Sequence, residues 1–511
     1  MIPGRLILPA LRWRPDTGFA HEEGTIAASL AFGAGGFILF GGEPDAVRAL
    51  TAGLRERAGR PLLIAADLER GAGQQFSGLT EFPPPAALAA LDDPDAIRVA
   101  AATTAREALS LGINWVLAPD ADLDVEPANP IVQSRSFGAD PARVADAVSI
   151  WVESCQAAGA LACVKHFPGH GRTTRDSHDD LPTVDADLAT LERTDLVPFR
   201  RGIAGGVATV MTGHLRVPAL DPSGAPATFS TPMLGYLRKE LGFSGLIVTD
   251  ALMMGGAAGG AAGSTAVRAL AAGCDLLCYP PDPAAAHRAI ADALAAGALP
   301  AARVREALAR YDAALRRAAG RPGDVAVRHP GASRDPVGPE DLDPGFRRGD
   351  GGQLTRGDGS ELHRGDGHFG HAAGSIADRL LARGLARGAE PRFTTPIDLV
   401  IVDDDQGGAW PASPSNYLTL ALQEAHVALG PGGSRIVLAF AEPRASKGRA
   451  GFGAESVERL DVFAPGAAAV ILFGHPRLAE QVKAGAPLLV AWHRQRLMQE
   501  AAARWILERL A

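Results

Sequence analysis

The feature that most constrains the fold is a regular alternation of short apolar runs with stretches of helical period, from residue 1 to about residue 318. The apolar runs predict buried strands, and the amphipathic stretches between them, such as 93–112 and 140–159, predict helices. The strand candidates are 5–11, 36–42, 61–69, 114–123, 161–167, 206–214, 245–253 and 274–280. So many strands, with helices between nearly all of them, predict an α/β fold in which a (β/α)₈ TIM-like barrel closes, rather than an open sheet.

Chemically usable side chains stand at the ends of five strand candidates. They are Asp67, Asp120, Lys165 with His166, His214 and Asp250. In a barrel of parallel strands all of these ends open onto one face, where active sites lie. The alternative is that strand ends become polar because they reach solvent, which explains one such residue but explains five strands poorly. The pattern therefore favours an active site built from strand ends.

Residues 319–392 differ in composition from the rest of the chain. The stretch is rich in Gly, Arg, Asp and Pro, and Arg-Gly-Asp recurs at 348–350, 356–358 and 364–366. It has too few apolar residues to offset the entropy lost on ordering, so we predict a disordered linker. An adhesion motif, or weak metal binding by the three histidines between positions 363 and 371, is less favoured because these features lie in a low-complexity repeat.

Order is predicted again from about residue 393. The apolar runs 396–405, 435–441, 467–474 and 487–492 predict strands, and stretches between them have helical period. Residues 393–511 are therefore predicted to form a smaller α/β sandwich. No residue pattern in this part indicates chemistry.

Composition and charge argue against several classes of protein. The formal net charge is −8, from 50 basic and 58 acidic residues, and no basic stripe is visible, so we expect no nucleic-acid partner. No window approaches the ~20 apolar residues that a membrane helix needs, and residues 1–16 lack the organisation of a secretion signal. The four cysteines are too sparse for a disulfide framework. We therefore expect a cytoplasmic protein that does not bind a membrane.

The densest group of reactive side chains is KHFPGHGRTTRDSHDD, residues 165–180. Lys165 and His166 end a strand candidate, and the Pro and Gly residues after them force a sharp turn. The polar loop that follows carries Asp176 and His178, and its charge density exceeds what a structural loop requires. A metal site formed by the three histidines and Asp176 is the alternative, but their order matches no metal-ligand spacing. We expect neither a metal ion nor a cofactor.

Asp250 directly follows the apolar run GLIVT. An unpaired carboxylate is costly to desolvate, so its place at a strand end suggests a function. A helix N-cap would explain it structurally, because Asp accepts backbone N–H bonds well. The residues that follow, ALMMGG, make a weak helix start, which favours catalysis over capping.

Together these two segments resemble glycoside hydrolase family 3, specifically its β-N-acetylglucosaminidase branch. That branch carries Lys-His-Phe-Pro-Gly-His-Gly, four further residues and then Asp-Ser-His, and the run stands unbroken at 165–178. The resemblance extends over residues 1–318. It includes GGFILFGG near the start, NPIVQSRSFG at 129–138, TGHLRVPALD at 212–221 and GLIVTDALMM at 245–254. It implies a catalytic barrel domain followed by a second domain.

The resemblance also implies roles at matching positions. Asp250 would be the covalent nucleophile and His178 the acid/base, with Asp176 orienting the imidazole. The residues that would hold the hydroxyls and the N-acetyl group are Asp67, Arg135, Lys165, His166 and His214. One departure stands out: the branch usually has Arg at position 75, where this chain has Gln75, and Arg70 is a candidate replacement.

The implied chemistry is that of a retaining glycosidase. A carboxylate attacks the anomeric carbon, and a second group protonates the leaving oxygen. His suits the second role because its unperturbed pKa of about 6.5 lies near working pH. The implied substrate is terminal β-linked N-acetylglucosamine, with peptidoglycan fragments as its source. The alternatives are a β-glucosidase or a glycoside phosphorylase of the same family, and an inactive glycan-binding protein, against which the presence of Asp250 and His178 argues.

Overall fold

The computed structural model describes residues 2–177, 179–257, 263–319, 366–405, 413–442, 447–483 and 485–511. The strands up to residue 319 are β1 Ile7–Leu8, β2 Ala10–Arg12, β3 Gly36–Phe40, β4 Leu63–Ala66, β5 Trp115–Val116, β6 Leu161–Phe167, β7 Thr209–Thr212, β8 Leu246–Thr249 and β9 Leu277–Cys278. Strands β2 to β8 form one parallel, curled sheet in chain order, the first sheet, and β1 pairs with β9. The predicted parallel α/β architecture is confirmed for this part.

Helices connect the strands and cover the first sheet. They are α1 Glu23–Ala31, α2 Pro44–Ala58, α3 Pro85–Ala90, α4 Pro94–Ser110, α5 Pro141–Ala157, α6 Leu188–Arg193, α7 Leu196–Ala204, α8 Thr231–Lys239, α9 Ser264–Ala272, α10 Pro283–Ala295 and α11 Ala301–Ala319. Helix α4 begins where Asp93 accepts a hydrogen bond from the Asp95 backbone N–H and Pro94 takes the first helical position. Its buried face is rich in alanine, so it packs closely on α5. Among the described helices, none has the length and apolar content needed to cross a bilayer.

Strand β6 shows how the sheet and the site are linked. All seven of its residues are buried, which is typical of a parallel strand covered on both faces. Two polar residues, Lys165 and His166, nevertheless lie near the carboxyl end of this strand. A buried lysine requires ionic partners, so the sequence of this strand calls for charged neighbours at its carboxyl end.

A second parallel sheet follows, with strand order β10-β11-β12-β13. Its strands and helices are α12 Asp366–Ala382, β10 Ile397–Asp403, α13 Tyr417–Glu424, β11 Ser434–Ala441, α14 Ala454–Phe463, β12 Ala469–Gly474, β13 Leu488–Val490 and α15 Arg496–Leu507. In β11, Leu438 and Phe440 pack on the side of α13 and α15, whereas Val437 and Ala439 pack on the side of α14. Helices therefore cover both faces of this second sheet.

The prediction of a disordered linker over 319–392 is wrong for its described part. Helix α12 lies within that range and buries Ala373, Ile376, Ala377, Leu380 and Leu381. These apolar residues recur at intervals of three and four, so they form one helical face. The face packs between α4 and α15, and the burial offsets the cost of ordering. Residues 320–365, with most of the Arg-Gly-Asp copies, lie outside the described residues.

Candidate active site

The predicted strand-end residues lie along one edge of the first sheet. Asp67 follows β4, Asp120 follows β5 and bridges to Lys165 of β6, His214 follows β7, and Asp250 follows β8. Because neighbouring parallel strands end at the same edge, side chains far apart in sequence are brought together there.

Lys165 is buried at the centre of an ion cluster. Its Nζ lies 2.8 Å from Asp67 Oδ1 and 2.7 Å from Glu69 Oε1. Arg135 donates two hydrogen bonds to Glu69, at 2.9 and 2.8 Å, and its Nη2 lies 3.5 Å from Asp120 Oδ2. The structure thus brings together three of the predicted substrate-binding residues and fixes their charges in place.

Glu69 is the member of this cluster that the sequence analysis missed. Burial alone would raise the pKa of Glu69, but the charges of Arg135 and Lys165 outweigh it and hold that pKa well below its usual range. Burial alone would lower the pKa of Lys165, but Asp67 and Glu69 raise it instead, so the ammonium stays charged. The available signal was the run DLE, which places a second carboxylate two residues after Asp67.

His166 is held by Asp122, another residue that the sequence analysis missed. The ring Nδ1 lies 2.8 Å from Asp122 Oδ2, and the backbone N–H of His170 donates to Oδ1 of the same carboxylate at 2.6 Å. We assign the ring proton to Nδ1, which leaves Nε2 as an acceptor. Burial lowers the pKa of His166, which favours the neutral ring with Nε2 as an acceptor.

The described residues contain one group with the spacing of a metal site, formed by Asp120, Asp122 and His166. Their ligand atoms lie within 4.8 Å of one another. Burial, with Asp122 as the next cause, raises the pKa of Asp120 well above its usual value. The guanidinium of Arg135 also lies beside this group, with its Nη2 3.5 Å from Asp120 Oδ2.

His170 braces the loop that follows β6. Its Nε2 lies 3.0 Å from Ser177 Oγ and its Nδ1 lies 2.6 Å from Thr173 Oγ1. Gly171 is required in this loop, because a Cβ there would lie 1.8 Å from the carbonyl oxygen of Leu123. Since both ring nitrogens of His170 bond within the loop, the alternative of a metal site formed by the three histidines is not supported.

The Asp-Ser-His segment ends this loop. Asp176 and Ser177 are buried, and the backbone N–H of Gly256 donates to the Ser177 carbonyl at 3.0 Å. Gly256 lies in the turn that follows Asp250, so the loop carrying the acid/base candidate packs against the chain that carries the nucleophile candidate. His178 itself lies outside the described residues.

Asp250 is partly exposed, and its surroundings fix its backbone. Its N–H donates to the carbonyl of Thr212 at 3.1 Å, and its Oδ1 accepts from the N–H of Ala251 at 2.7 Å. His214 lies behind it, fully buried, with Nδ1 2.8 Å from Thr228 Oγ1 and Nε2 3.1 Å from the Ala251 carbonyl. His214 therefore positions the chain next to Asp250, and direct contact between His214 and a sugar stays a prediction.

The N-cap alternative for Asp250 is wrong. The residues after it form turns and a short 3₁₀ segment at Gly255–Ala257. The next described helix, α9, begins only at Ser264. Asp250 therefore caps no helix.

Gln75, at the position where the sequence departs from the family pattern, and Arg70 both make contacts away from Lys165. Gln75 Oε1 accepts a hydrogen bond from the backbone N–H of Gly41 at 3.2 Å. The guanidinium of Arg70 turns to the second sheet, where its Nη1 lies 3.2 Å from Gln495 Oε1 and 3.4 Å from His493 Nδ1. Neither side chain joins the ion cluster around Lys165.

Comparison with known protein families shows to which family this arrangement belongs. A profile of the glycosyl hydrolase family 3 N terminal domain matches residues 34–313. The chain belongs to glycosyl hydrolase family 3. The matched range contains the predicted site residues from Asp67 to Asp250, so the family assignment rests on the part of the chain that builds the site.

Individual family 3 proteins give the scale of the similarity. A β-N-acetylglucosaminidase/β-glucosidase of Cellulomonas fimi is 39% identical over 246 residues, which are 46% of this chain and 43% of that protein. A β-hexosaminidase of Alkalilimnicola ehrlichii is 37% identical over 291 residues, which are 54% of this chain and 82% of that protein. The structure of a family 3 β-N-acetylglucosaminidase from a Paenibacillus species is similar with a TM-score of 0.80 and 26% identity, covering 100% of this chain and 96% of that one.

Because the chain belongs to family 3, it is a glycoside hydrolase. The aligned part spans less than half of the Cellulomonas protein, but most of the Alkalilimnicola protein. The second sheet lies beyond the range of the family profile, and the similarity to the Paenibacillus structure extends over it.

Proposed function

We propose that this family 3 enzyme is an exo-acting, retaining β-N-acetylglucosaminidase that releases terminal β-linked N-acetylglucosamine from a glycan. The observation that carries the proposal is Asp250 at a strand end, on the same edge as the buried cluster of Lys165, Glu69, Arg135 and Asp67. A reactive carboxylate beside fixed charges fits a sugar pocket, because charged groups make the strongest hydrogen bonds to hydroxyls. The names of the Cellulomonas and Alkalilimnicola relatives support the substrate.

The proximity of Asp250 to the pocket is supported by its electrostatic effects. Burial raises the pKa of the Cys278 thiol, and the charges of Asp250 and Asp67 raise it further. The charge of Asp250 also acts on His166. We infer that Asp250 attacks the anomeric carbon of a sugar whose hydroxyls are bound by Asp67, Lys165 and His166, which forms a glycosyl-aspartate that water then hydrolyses.

His178 is proposed as the acid/base on the strength of the sequence. It follows Asp176 by two residues, and an adjacent carboxylate fixes a tautomer and stabilises the imidazolium, as in other His–Asp pairs. The anchoring of Ser177 to Gly256 supports this assignment, because it ties the loop to the chain that follows Asp250.

The same proposal includes the finer architecture and the cellular setting. We infer that the first sheet closes into a (β/α)₈ barrel through β9, because Thr249 N–H donates to the Leu276 carbonyl at 3.0 Å and Tyr279 N–H donates to that of Leu8 at 2.8 Å. Residues 1–318 then form the catalytic domain and 393–511 the second. The four free, buried cysteines support a reducing cytoplasmic location, where peptidoglycan fragments are the proposed glycan source.

The proposal is tested with purified protein and 4-nitrophenyl β-N-acetylglucosaminide, with and without phosphate. Phosphate-independent release of N-acetylglucosamine, with the β-anomer formed first in early NMR spectra, is the expected result. A sugar 1-phosphate formed only with phosphate would identify a phosphorylase. Glycan binding without turnover would identify the inactive binding protein.

A further inference from the structure

Residues 176–180, the acid/base turn, are held on both sides of His178. The backbone N–H groups of Asp179 and Asp180 both donate to the carbonyl of Asp176, at 3.2 and 3.1 Å. These bonds close the turn, and they tie the chain that follows His178 to the chain that precedes it. The contacts that seat the acid/base turn therefore decide where the chain presents His178.

Gly256 is the point where the acid/base turn meets the chain that follows Asp250. Its backbone N–H donates to the Ser177 carbonyl at 3.0 Å. A Cβ built on Gly256 would lie 2.9 Å from that carbonyl oxygen and 3.0 Å from the carbonyl oxygen of Asp180. Both distances are shorter than an ordinary contact of a Cβ atom. The turn can therefore lie this close only because residue 256 has no side chain.

The glycine at position 256 is required by space and not by its backbone conformation. Gly256 is not among the glycines with a positive φ, so alanine could adopt the same backbone conformation. The third neighbour of a Cβ there would be the Cβ of His214, at 2.9 Å. His214 is fully buried, and its ring nitrogens bond to Thr228 and to the Ala251 carbonyl, so it has little room to move. A side chain at position 256 would therefore displace the acid/base turn rather than His214.

We infer that Gly256 is a positioning residue for the acid/base, because its N–H and its lack of a side chain seat the turn that presents His178. The inference rests on the proposed function, in which His178 protonates the leaving group, and it adds a residue that acts on this step without touching the substrate. General acid catalysis needs the donor within hydrogen-bonding distance of the leaving oxygen, and a misplacement of about 1 Å can cost about 10²-fold in rate. Asp250 has its own anchor, the bond from its N–H to the Thr212 carbonyl. Displacement of the turn should therefore spare the attack on the anomeric carbon.

The test is Gly256→Ala, assayed on two substrates whose leaving groups differ in their need for protonation. The β-1,4-linked disaccharide of N-acetylglucosamine has a poor leaving group, and 4-nitrophenyl β-N-acetylglucosaminide has a good one. We expect kcat/KM to fall about 10²-fold on the disaccharide, because the acid is misplaced. The fall on the 4-nitrophenyl glycoside should be below ~3-fold, because the departure of 4-nitrophenolate needs little protonation.

A double-mutant cycle separates a positioning role from a structural one. If Gly256 acts through His178, adding Gly256→Ala to His178→Ala should lower kcat/KM on the disaccharide by less than ~3-fold, because the group that would be misplaced is already absent. Gly202→Ala is the matched control. A Cβ on Gly202, in α7, would lie 3.0 Å from Val164 Cγ2 and 3.3 Å from Val148 Cγ1, and neither residue belongs to the acid/base turn. This variant should have a lower melting temperature but show no difference between the two substrates.

Three results would overturn the inference. Equal falls in kcat/KM on both substrates would mean that Gly256 supports the fold or the whole site. An unchanged rate on the disaccharide would mean that the turn needs no seat at this residue. A full additional loss in the double variant would mean that Gly256 does not act through His178.

Ser177→Ala takes over the test if Gly256→Ala does not fold. It adds no atoms and removes the second contact that holds residue 177, between Ser177 Oγ and His170 Nε2 at 3.0 Å. We expect a fall of about 10-fold on the disaccharide and below ~2-fold on the 4-nitrophenyl glycoside, because one hydrogen bond of the seat is lost. Equal falls on both substrates, or no fall on either, would overturn the inference.

Failure of the proposed function would look different. Wild-type protein that cleaves neither substrate would overturn the proposed activity, and a His178→Ala variant that falls equally on both would overturn the proposed acid/base. Both results are obtained without a change at Gly256, so they are distinct from a failure of the positioning role.

Discussion

Arg135 donates two hydrogen bonds to Glu69, and Glu69 also lies 2.7 Å from Lys165 Nζ, so a single buried carboxylate fixes both cations of the candidate pocket. Glu69→Gln keeps the shape of this side chain but removes its charge. We expect kcat/KM on N-acetylglucosaminides to fall about 10²-fold, because small misplacements of substrate-binding groups cost this much. Michaelis kinetics on the purified variant provide the measurement.

Asp275→Asn is the matched control for that substitution. Asp275 is also fully buried and binds Arg238, Arg303 and Arg310, but it precedes β9 and therefore lies at the opposite, amino end of the strands. Both variants should unfold at lower temperature, because each removes a buried negative charge that pairs with more than one cation. Only Glu69→Gln should lose activity per folded molecule. Equal kinetic losses would show that Glu69 acts through general stability alone.

Sugar specificity tests the branch of family 3. Activity on 4-nitrophenyl β-N-acetylglucosaminide should exceed that on the β-glucoside by at least ~10²-fold, because a site built to hydrogen-bond the acetamido group leaves polar groups unpaired with glucose. The prediction is motivated by the unbroken run from Lys165 to His178. Comparable values of kcat/KM on the two glycosides would contradict the assignment.

The two proposed catalytic residues should fail differently when they are removed. Asp250→Ala lacks the group that forms the glycosyl-enzyme, so it should be inactive on every substrate. His178→Ala lacks a proton donor, which matters most for a poor leaving group. The fall in kcat/KM should be ~10²–10⁴-fold larger on the β-1,4-linked disaccharide of N-acetylglucosamine than on the 4-nitrophenyl glycoside, because general acid assistance usually contributes this much. Asp176→Ala should show a weaker form of the same pattern.

Asp180→Ala is the control for these loop variants. Asp180 lies in the same loop, is exposed and pairs with Arg175, so its loss should leave kinetics on both substrates within ~2-fold, as for most exposed ion pairs. If His178→Ala lowers kcat/KM equally on both substrates, that result would point to a binding role for His178.

Stability should fall as the pH drops from 7 to 5. Burial lowers the pKa of His170 from 6.5 to about 3, so between these values the unfolded chain binds a proton that the folded protein excludes. Linkage at His170 then removes about 2 kcal/mol of unfolding free energy between pH 7 and pH 5, and the raised pKa of Asp120 acts in the opposite direction. Carboxylates with lowered pKa values, such as Glu69, change the pH dependence of stability only below about pH 4.5, so they have little effect between pH 7 and pH 5. Urea unfolding at the two pH values provides the measurement.

His170→Gln serves as the comparison for the pH effect. The amide cannot titrate but retains hydrogen-bonding capacity towards Thr173 and Ser177. The variant should be less stable at pH 7 and should show a smaller loss between pH 7 and pH 5. An unchanged loss would assign the pH dependence to other groups, among them His166, whose pKa is also lowered by burial.

The composition of residues 320–365 still predicts a disordered linker. Limited proteolysis should therefore cut first within this range and yield two stable fragments. Native gel filtration should find the fragments together, because Arg379 of α12 binds Asp93 at 2.6 Å and Arg477 binds Asp124 across the junction. Resistance of this range to protease would contradict the linker prediction.

Much of the fold could be predicted because its signals are local. A run such as LACVKHF is apolar enough to be buried on both faces whatever its neighbours are, and the position of Asp250 at a strand end follows from the run before it. Helix α12 could not be predicted in this way. Its apolar face is short and stands within a polar, glycine-rich stretch, and it is stable because α4 and α15 cover it.

The sequence by itself determined the parallel strands, the polar strand ends and the reactive loop, since strand periodicity and motif spacing are properties of neighbouring residues. Only the tertiary structure decided that Glu69 meets Arg135, 66 residues away, that Asp122 holds His166, and that Arg70 turns to the second sheet. The physical reason is that a buried charge must find its partner in space, and which charges lie within hydrogen-bonding distance depends on which strands are adjacent.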